Sequence, residues 1–145
     1  MHVNPSDDEL RTLLTEAKTI AMVGASSDEA KPSHRIMRAL QSAGYRVIPV
    51  NPREASVLGE MAYASLDDID EPVDIVDVFR RAEDTPPIAD QAVKIGARVL
   101  WLQQGISSEE AASRAKAGGL VVVMDACIGA THARLHIARK GGKVG

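Results

Sequence analysis

The sequence predicts an α/β domain of the doubly wound, Rossmann-like kind, with three layers and a mainly parallel sheet of about five strands. Three observations carry this reading. Strand-like and helix-like segments alternate almost throughout the 145 residues. Nearly every strand is an unbroken apolar run, as expected where both faces of a parallel sheet are covered. The first run, Thr19-Ile20-Ala21-Met22-Val23, stops at Gly24-Ala25-Ser26-Ser27, and a helical pattern follows from Pro32 to Ala43. A strand, a small-residue loop and a helix together hold phosphate in α/β proteins, on backbone N–H groups and the helix N-terminus.

The elements follow in order. Ser6-Asp7-Asp8-Glu9 has the spacing of a capping box, in which Ser6 accepts from the N–H three residues on and Glu9 reaches back. Leu10, Leu13, Leu14 and Ala17 then line one helical face. Strand one is Thr19 to Val23. Pro32 suits a first helical turn because its missing N–H would have no partner there. Ile36, Met37, Leu40 and Ala43 form the buried face of that helix, and Gly44 ends it. Strand two is Tyr45 to Val50 and breaks at Asn51-Pro52. Residues 55–70 are less regular: a turn at Val57-Leu58-Gly59, a short extended piece from Met61 to Tyr63, and one helical turn at Ser65-Leu66-Asp67-Asp68. Strand three is Val73 to Phe79. Thr85 is expected to cap the next helix, with Pro86 first inside it, Ile88, Ala92 and Ile95 facing inward, and Gly96 as its end. Strand four is Ala97 to Leu102. Ser107-Ser108 cap a helix running through Lys116, ended by Gly118-Gly119. Strand five is Leu120 to Met124, and a last helix is expected from about Ala130 to Arg139.

The totals fit one domain spanning residues 1–145, with 1–5 and 140–145 expected to be flexible. Hydrophobic content is 45% and charged content 26%, but aromatics make up only 3%, so the core must be aliphatic. Few aromatics and a net charge of −3 argue against a nucleic-acid binder. One cysteine, Cys127, leaves no internal disulfide and suits a reducing compartment. Met1 to Pro5 does not read as a signal peptide, and no apolar run approaches the roughly 18 residues of a membrane span. A cytoplasmic protein is expected, with no membrane partner.

Ligands of doubly wound folds sit outside the carboxyl ends of the strands. Here those ends are Gly24-Ala25-Ser26, Asn51-Pro52, Phe79-Arg80-Arg81, Gln103-Gln104-Gly105 and Asp125-Ala126-Cys127. Lys31, Arg35, Arg53, Arg80 and Arg81 gather near the same rim, and such a cluster on an acidic chain favours a polyanionic small ligand. Lys31 just before a helix N-terminus is out of place unless an anion sits there. The dinucleotide fingerprint is incomplete: Ser26 stands at its second glycine and Glu29 at its third, and no carboxylate follows strand two until Glu54. The Gly-Lys-Ser/Thr of a P-loop is absent.

Catalytic readings find little support. Ser26 has no local base. Asp74 and Asp77 fall on opposite faces of one strand. His132 and His136 are spaced to share a helix face but lack a third ligand, so no metal site is expected. Cys127 reads either as a buried small hydrophobe or as a redox thiol facing the ligand. The chain is therefore read as a binding module rather than an enzyme. The alternative is an NAD(P)- or nucleotide-dependent enzyme, or a redox sensor, on the same fold.

Six segments, in the same order, resemble the small bacterial CoA-binding proteins: Gly24-Ala25-Ser26, Lys31-Pro32-Ser33, Gly44 to Pro52, Val76 to Arg81, Trp101 to Gly105, and Val123 to Cys127. That family is similar to the N-terminal CoA-binding domain of the succinyl-CoA synthetase α subunit. The resemblance spans roughly Lys18 to Leu135. It implies a module that holds coenzyme A or an acyl-CoA without the ligase half. Such a module is expected to hand its ligand to an unidentified protein partner or to sense its level. It also implies the site: Gly24, Ala25, Ser26 and Ser27 at phosphate, with Lys31 and Ser33 beside it. His34, at the start of the second helix, reads from its position alone either as a phosphate contact or as a capping or surface residue. Asn51, Pro52, Phe79 and Arg80 would border the nucleotide, and Gln103 and Gly105 would lie along the ligand; Arg81 joins the expected site from the cation cluster. Two positions depart from the pattern. Ala126 stands where arginine is common, and Thr131 where glutamate often precedes the histidine.

Overall fold

In the computed structural model, which describes residues 1–141, five strands form one parallel sheet in the order β2-β1-β5-β6-β7. They are β1 (Thr19–Val23), β2 (Arg46–Val50), β5 (Ile75–Val78), β6 (Val99–Leu102) and β7 (Val121–Val123). The chain winds outward from β1 to β2, then returns to lay β5 on the other side of β1. That reversal is the switch point, and it opens a crevice between the carboxyl ends of β1 and β5. Between β2 and β5 the chain inserts a small antiparallel hairpin, β3 (Ser56–Val57) and β4 (Glu60–Met61). Leu58 (φ 49°) and Gly59 (φ 83°) make its turn, the pair of positive φ angles that a two-residue hairpin of this twist needs.

The helices are α1 (Asp7–Glu16), α2 (Pro32–Ser42), α3 (Thr85–Lys94), α4 (Glu109–Ala117) and α5 (Ile128–Arg134). Side chains alternate across a strand, so each strand serves two cores. Val23, Ile48, Val76, Val78, Leu100 and Val122 pack toward Ala89 and Ala92 of α3 and Ala111, Ala112 and Ala115 of α4. Ile20, Met22, Val47, Ile75, Trp101 and Val123 pack toward Leu10 and Leu14 of α1, Met37 and Leu40 of α2, and Ile128 of α5. The alanine-rich contact lets α3 and α4 approach closely: a Cβ on Gly118 would come within 2.5 Å of the Val93 methyls.

Most boundaries agree with the sequence reading to within a residue or two. The Ser6–Glu9 capping box forms, with Ser6 Oγ accepting from the Glu9 amide at 3.2 Å. Two elements differ. Thr85 does not cap α3: a 3₁₀ turn over Ala82–Asp84 runs straight into the helix, Asp84 is already in the helical region, and buried Thr85 donates its hydroxyl to the Ala82 carbonyl at 2.7 Å. The last helix starts and stops early. The Cys127 thiol accepts from the Ala130 amide at 3.4 Å and sets the start, and left-handed His136 (φ 53°) lies just past the end. His132 and His136 therefore do not share one helix.

At the ends of the chain, the Asn4 side chain exchanges two hydrogen bonds with the Met124 backbone, at 2.8 and 2.9 Å. Lys140 donates its backbone N–H to the Ala43 carbonyl and its ammonium to the Thr15 carbonyl. Residues 142–145 of the tail expected to be flexible lie outside the described residues.

Candidate functional site

The crevice at the switch point is a cleft of about 940 Å³. It is built from four loops and one helix start. Gly24 and Ser26 follow β1, residues 51–54 follow β2, Phe79, Arg80 and Arg81 follow β5, and Ile106 comes from the loop after β6. Lys31, Pro32 and Ser33 bring in the first turn of α2.

Gly24 is the hinge of this geometry. Its amide donates to the Val50 carbonyl at 2.9 Å, and the next strand's Phe79 amide donates to the Val23 carbonyl at 2.8 Å. Its φ of +91° is one that side chains avoid, and a Cβ there would lie 2.4 Å from the Phe79 carbonyl oxygen. Only glycine lets β1 turn out of the sheet this close to β5. Beyond it, Ala25 is fully buried, and its carbonyl accepts from Asn51 Nδ2 at 2.8 Å. Asn51 Oδ1 accepts from the Arg53 amide at 2.9 Å. The Asn51 side chain thus borders the cleft but is engaged in tying the first two rim loops together.

His34 is also a support. Its Nδ1 lies 3.0 Å from the Ser26 carbonyl oxygen and its Nε2 lies 3.3 Å from the Arg38 guanidinium. The Arg38 donor makes Nε2 the acceptor, so Nδ1 carries the proton that holds Ser26. Ser26 Oγ in turn accepts from the Asp28 amide at 3.0 Å. Ser27 faces the second rim loop: Glu54 takes both its amide, at 2.8 Å, and its hydroxyl, at 2.9 and 3.0 Å.

The cleft's charges are one-sided. Lys31, Arg53, Arg80 and Arg81 line it, against the single carboxylate of Glu54. Arg81 is exposed and pairs with Asp84 at 3.4 Å and Glu83 at 3.7 Å. Among the described residues, Lys31, Arg53 and Arg80 have no carboxylate within ion-pair distance. Lys31 occupies the N-cap of α2 with no side-chain cap bond, so the positive end of the helix dipole adds to this field.

Nine of the fourteen residues expected at the site line the cleft: Gly24, Ser26, Lys31, Ser33, Asn51, Pro52, Phe79, Arg80 and Arg81. Ala25, Ser27 and His34 shape its loops from behind or beside it. Gln103 and Gly105 lie elsewhere. Gln103 is buried, donating to Asp77 Oδ1 at 2.6 Å and accepting from the Ile128 amide at 3.3 Å. The Gly105 amide donates to Asp125 Oδ1 at 2.8 Å. Four lining residues were not among those fourteen: Pro32, Arg53, Glu54 and Ile106. Arg53 and Glu54 had a signal, as the first charged residues after strand two. Ile106 had none beyond its place on the rim. Cys127 does not line the cleft; it is half-buried at the N-cap of α5.

No group of three His, Cys, Asp or Glu side chains suited to a metal ion occurs among the described residues, and none of their helices is long and apolar enough to cross a membrane. The residues present do suit a phosphorylated ligand. A glycine admits close approach of backbone, the first turn of α2 lines the cleft, and three of the cleft's cations lack acidic partners among the described residues.

The sequence is 45% identical over 130 residues to the uncharacterized protein YneT of Bacillus subtilis, covering 90% of this chain and 96% of that one. The structure superimposes on a hypothetical protein from Pyrococcus horikoshii with a TM-score of 0.89 at 36% identity, covering 94% and 99% of the two chains. More distantly, 92 residues are 26% identical to the ADP-forming acetate–CoA ligase of Methanocaldococcus jannaschii, covering 63% of this chain and 13% of that enzyme. The family described as CoA binding domain matches residues 18–133. With its sheet order, its glycine-hinged cleft and that match across most of its length, the chain belongs to the CoA-binding domain family.

Proposed function

We propose that this protein holds coenzyme A, free or acylated, in the switch-point cleft, and acts as a carrier or sensor of that cofactor rather than as a ligase. The observation that carries the reading is the set of unpaired cations around a loop whose glycine is pressed against Phe79. A ligand with several phosphates compensates Lys31, Arg53 and Arg80 together, and arginine suits bidentate phosphate contacts. Gly24, Ser26 and Ser33 offer the close-packed loop and helix start, and Phe79 and Ile106 supply apolar wall. A cleft of about 940 Å³ is at the upper end of small-ligand sites and suits a long cofactor.

Thermal unfolding with millimolar ligand tests this. CoA raises the melting temperature by mass action, and NAD raises it much less. The Lys31→Ala, Arg80→Ala double variant is expected to lose at least about tenfold in CoA affinity, the equivalent of one charge-assisted contact. A shift with NAD equal to that with CoA would reverse the ranking in favour of a dinucleotide-dependent protein. Unchanged CoA affinity in the double variant would remove those cations from the site.

A further inference from the structure

Glu54 is at odds with the rest of the cleft. It is the lone acidic side chain among the residues that line it, yet it does not pair with the cations there. Its carboxylate instead grips Ser27 with both oxygens: Oε2 accepts from the Ser27 amide at 2.8 Å, and Oε1 and Oε2 accept from Ser27 Oγ at 2.9 and 3.0 Å. A backbone N–H and an adjacent hydroxyl, both aimed at one planar anion, form the donor set that a phosphate-binding loop presents to its ligand.

We propose that Glu54 is a built-in competitor for the phosphate site. Its carboxylate holds the Ser27 donors until a phosphoryl group of the ligand takes them and turns the side chain out to solvent. This rests on the reading of the cleft as a site for a phosphorylated cofactor. Two physical facts make the exchange workable. Glu54 is only half-buried, so the released carboxylate is readily rehydrated. Were the carboxylate to stay, it would repel a phosphate approaching the same loop, and juxtaposed like charges are costly across an interface. The exchange has two consequences. It keeps the loop's donors satisfied in the free protein. It also makes occupancy selective, because a ligand without phosphate gains nothing that compensates the broken Glu54–Ser27 bonds.

The test compares the wild type with Glu54→Ala and Glu54→Gln by titration calorimetry, using CoA, inorganic pyrophosphate and pantetheine as probes. Glu54→Ala is expected to bind CoA and pyrophosphate about tenfold more tightly than the wild type. Glu54→Gln, which loses the charge but keeps an acceptor, is expected to fall between them. Pantetheine, which carries no phosphate, should show no gain in either variant. Circular dichroism on the same samples establishes that both variants are folded. Equal or weaker affinity for CoA and pyrophosphate in folded Glu54→Ala would overturn the proposal and make Glu54 a support of the loop or an acceptor for a ligand hydroxyl. The two readings separate cleanly. If pyrophosphate binds, and binds more tightly in the variants, while CoA does not bind at all, the CoA reading fails and the role of Glu54 stands. If the wild type binds CoA and the variants do not improve on it, the role of Glu54 alone fails.

Discussion

Asp77 is the residue with the strongest physical constraint outside the cleft. It is fully buried in β5, between Met22 and Trp101 on the neighbouring strands. Burial pushes its carboxyl well above the usual carboxylate range, and the hydrogen bond from Gln103 only partly opposes this. Its Oδ2 has no partner among the described residues. A carboxyl held neutral this way contributes stability that is complete below the ordinary aspartate pKa and is lost as pH rises through its raised folded value. The wild type is therefore expected to lose melting temperature as pH rises above the ordinary aspartate range. Asp77→Asn keeps the acceptor for Gln103 and cannot ionise, so its melting curve should be flatter over the same range. Parallel pH profiles for the two proteins would show that Asp77 is not the titrating group. Periodicity marked Asp77 as a strand residue facing opposite to Asp74. Its neutralisation was not legible, because it depends on which neighbours close over it.

At the scale of elements, local chemistry set the starts and stops that could be read in advance. Ser6, Pro32, Gly44, Ser108 and Gly118 all act within a few residues of themselves, and each sits where its type predicts. The capping box offers a direct check. Ser6→Ala removes the acceptor for the Glu9 amide and should cost about 1 kcal/mol in urea denaturation. Because α1 is pinned at its start, with the Asp7 carboxylate meeting Arg134 of α5 at 2.9 Å, the loss should leave the fold intact. A Ser6→Ala variant as stable as the wild type would show that Arg134 and the Leu10–Leu14 packing position α1 without the cap. The two misread elements are set by backbone turns beside them rather than by the caps their sequences suggest. Thr85 is drawn inward by the 3₁₀ turn after β5, and α5 is cut short by the left-handed turn at His136.

For the whole molecule, stability should be graded outward from the switch point. β1 and β5 are central, paired on both sides and buried on both faces. The β3–β4 hairpin pairs only with itself and leaves Met61 exposed. Hydrogen exchange is expected to be slowest in β1 and β5 and faster in the hairpin, which is held to the core by Val57 and Leu58 rather than by strand pairing with the sheet. Equal protection of the two regions would mean that the hairpin unfolds only with the sheet. The same gradient serves the cleft, since its hinge, Gly24, leaves the most protected strand while Glu54 sits on the loop leading to the least protected one.

The sequence by itself determined the class of fold, the order and extent of most elements and the rim that carries the candidate site. These follow from periodicity, capping and glycine placement, which act over short stretches of chain. It also marked Gly24, Lys31, Arg80 and six more of the thirteen residues that line the cleft as one constellation. Only the tertiary structure decided how those residues divide their work. Asn51 and His34 are turned to bracing loops, Gln103 to a buried carboxyl, and Glu54 to the donors of Ser27. All of these hydrogen bonds but that of His34, which spans eight residues, join segments more than 25 residues apart in the chain. Such partners are chosen by how the strands stack, and no local pattern encodes them.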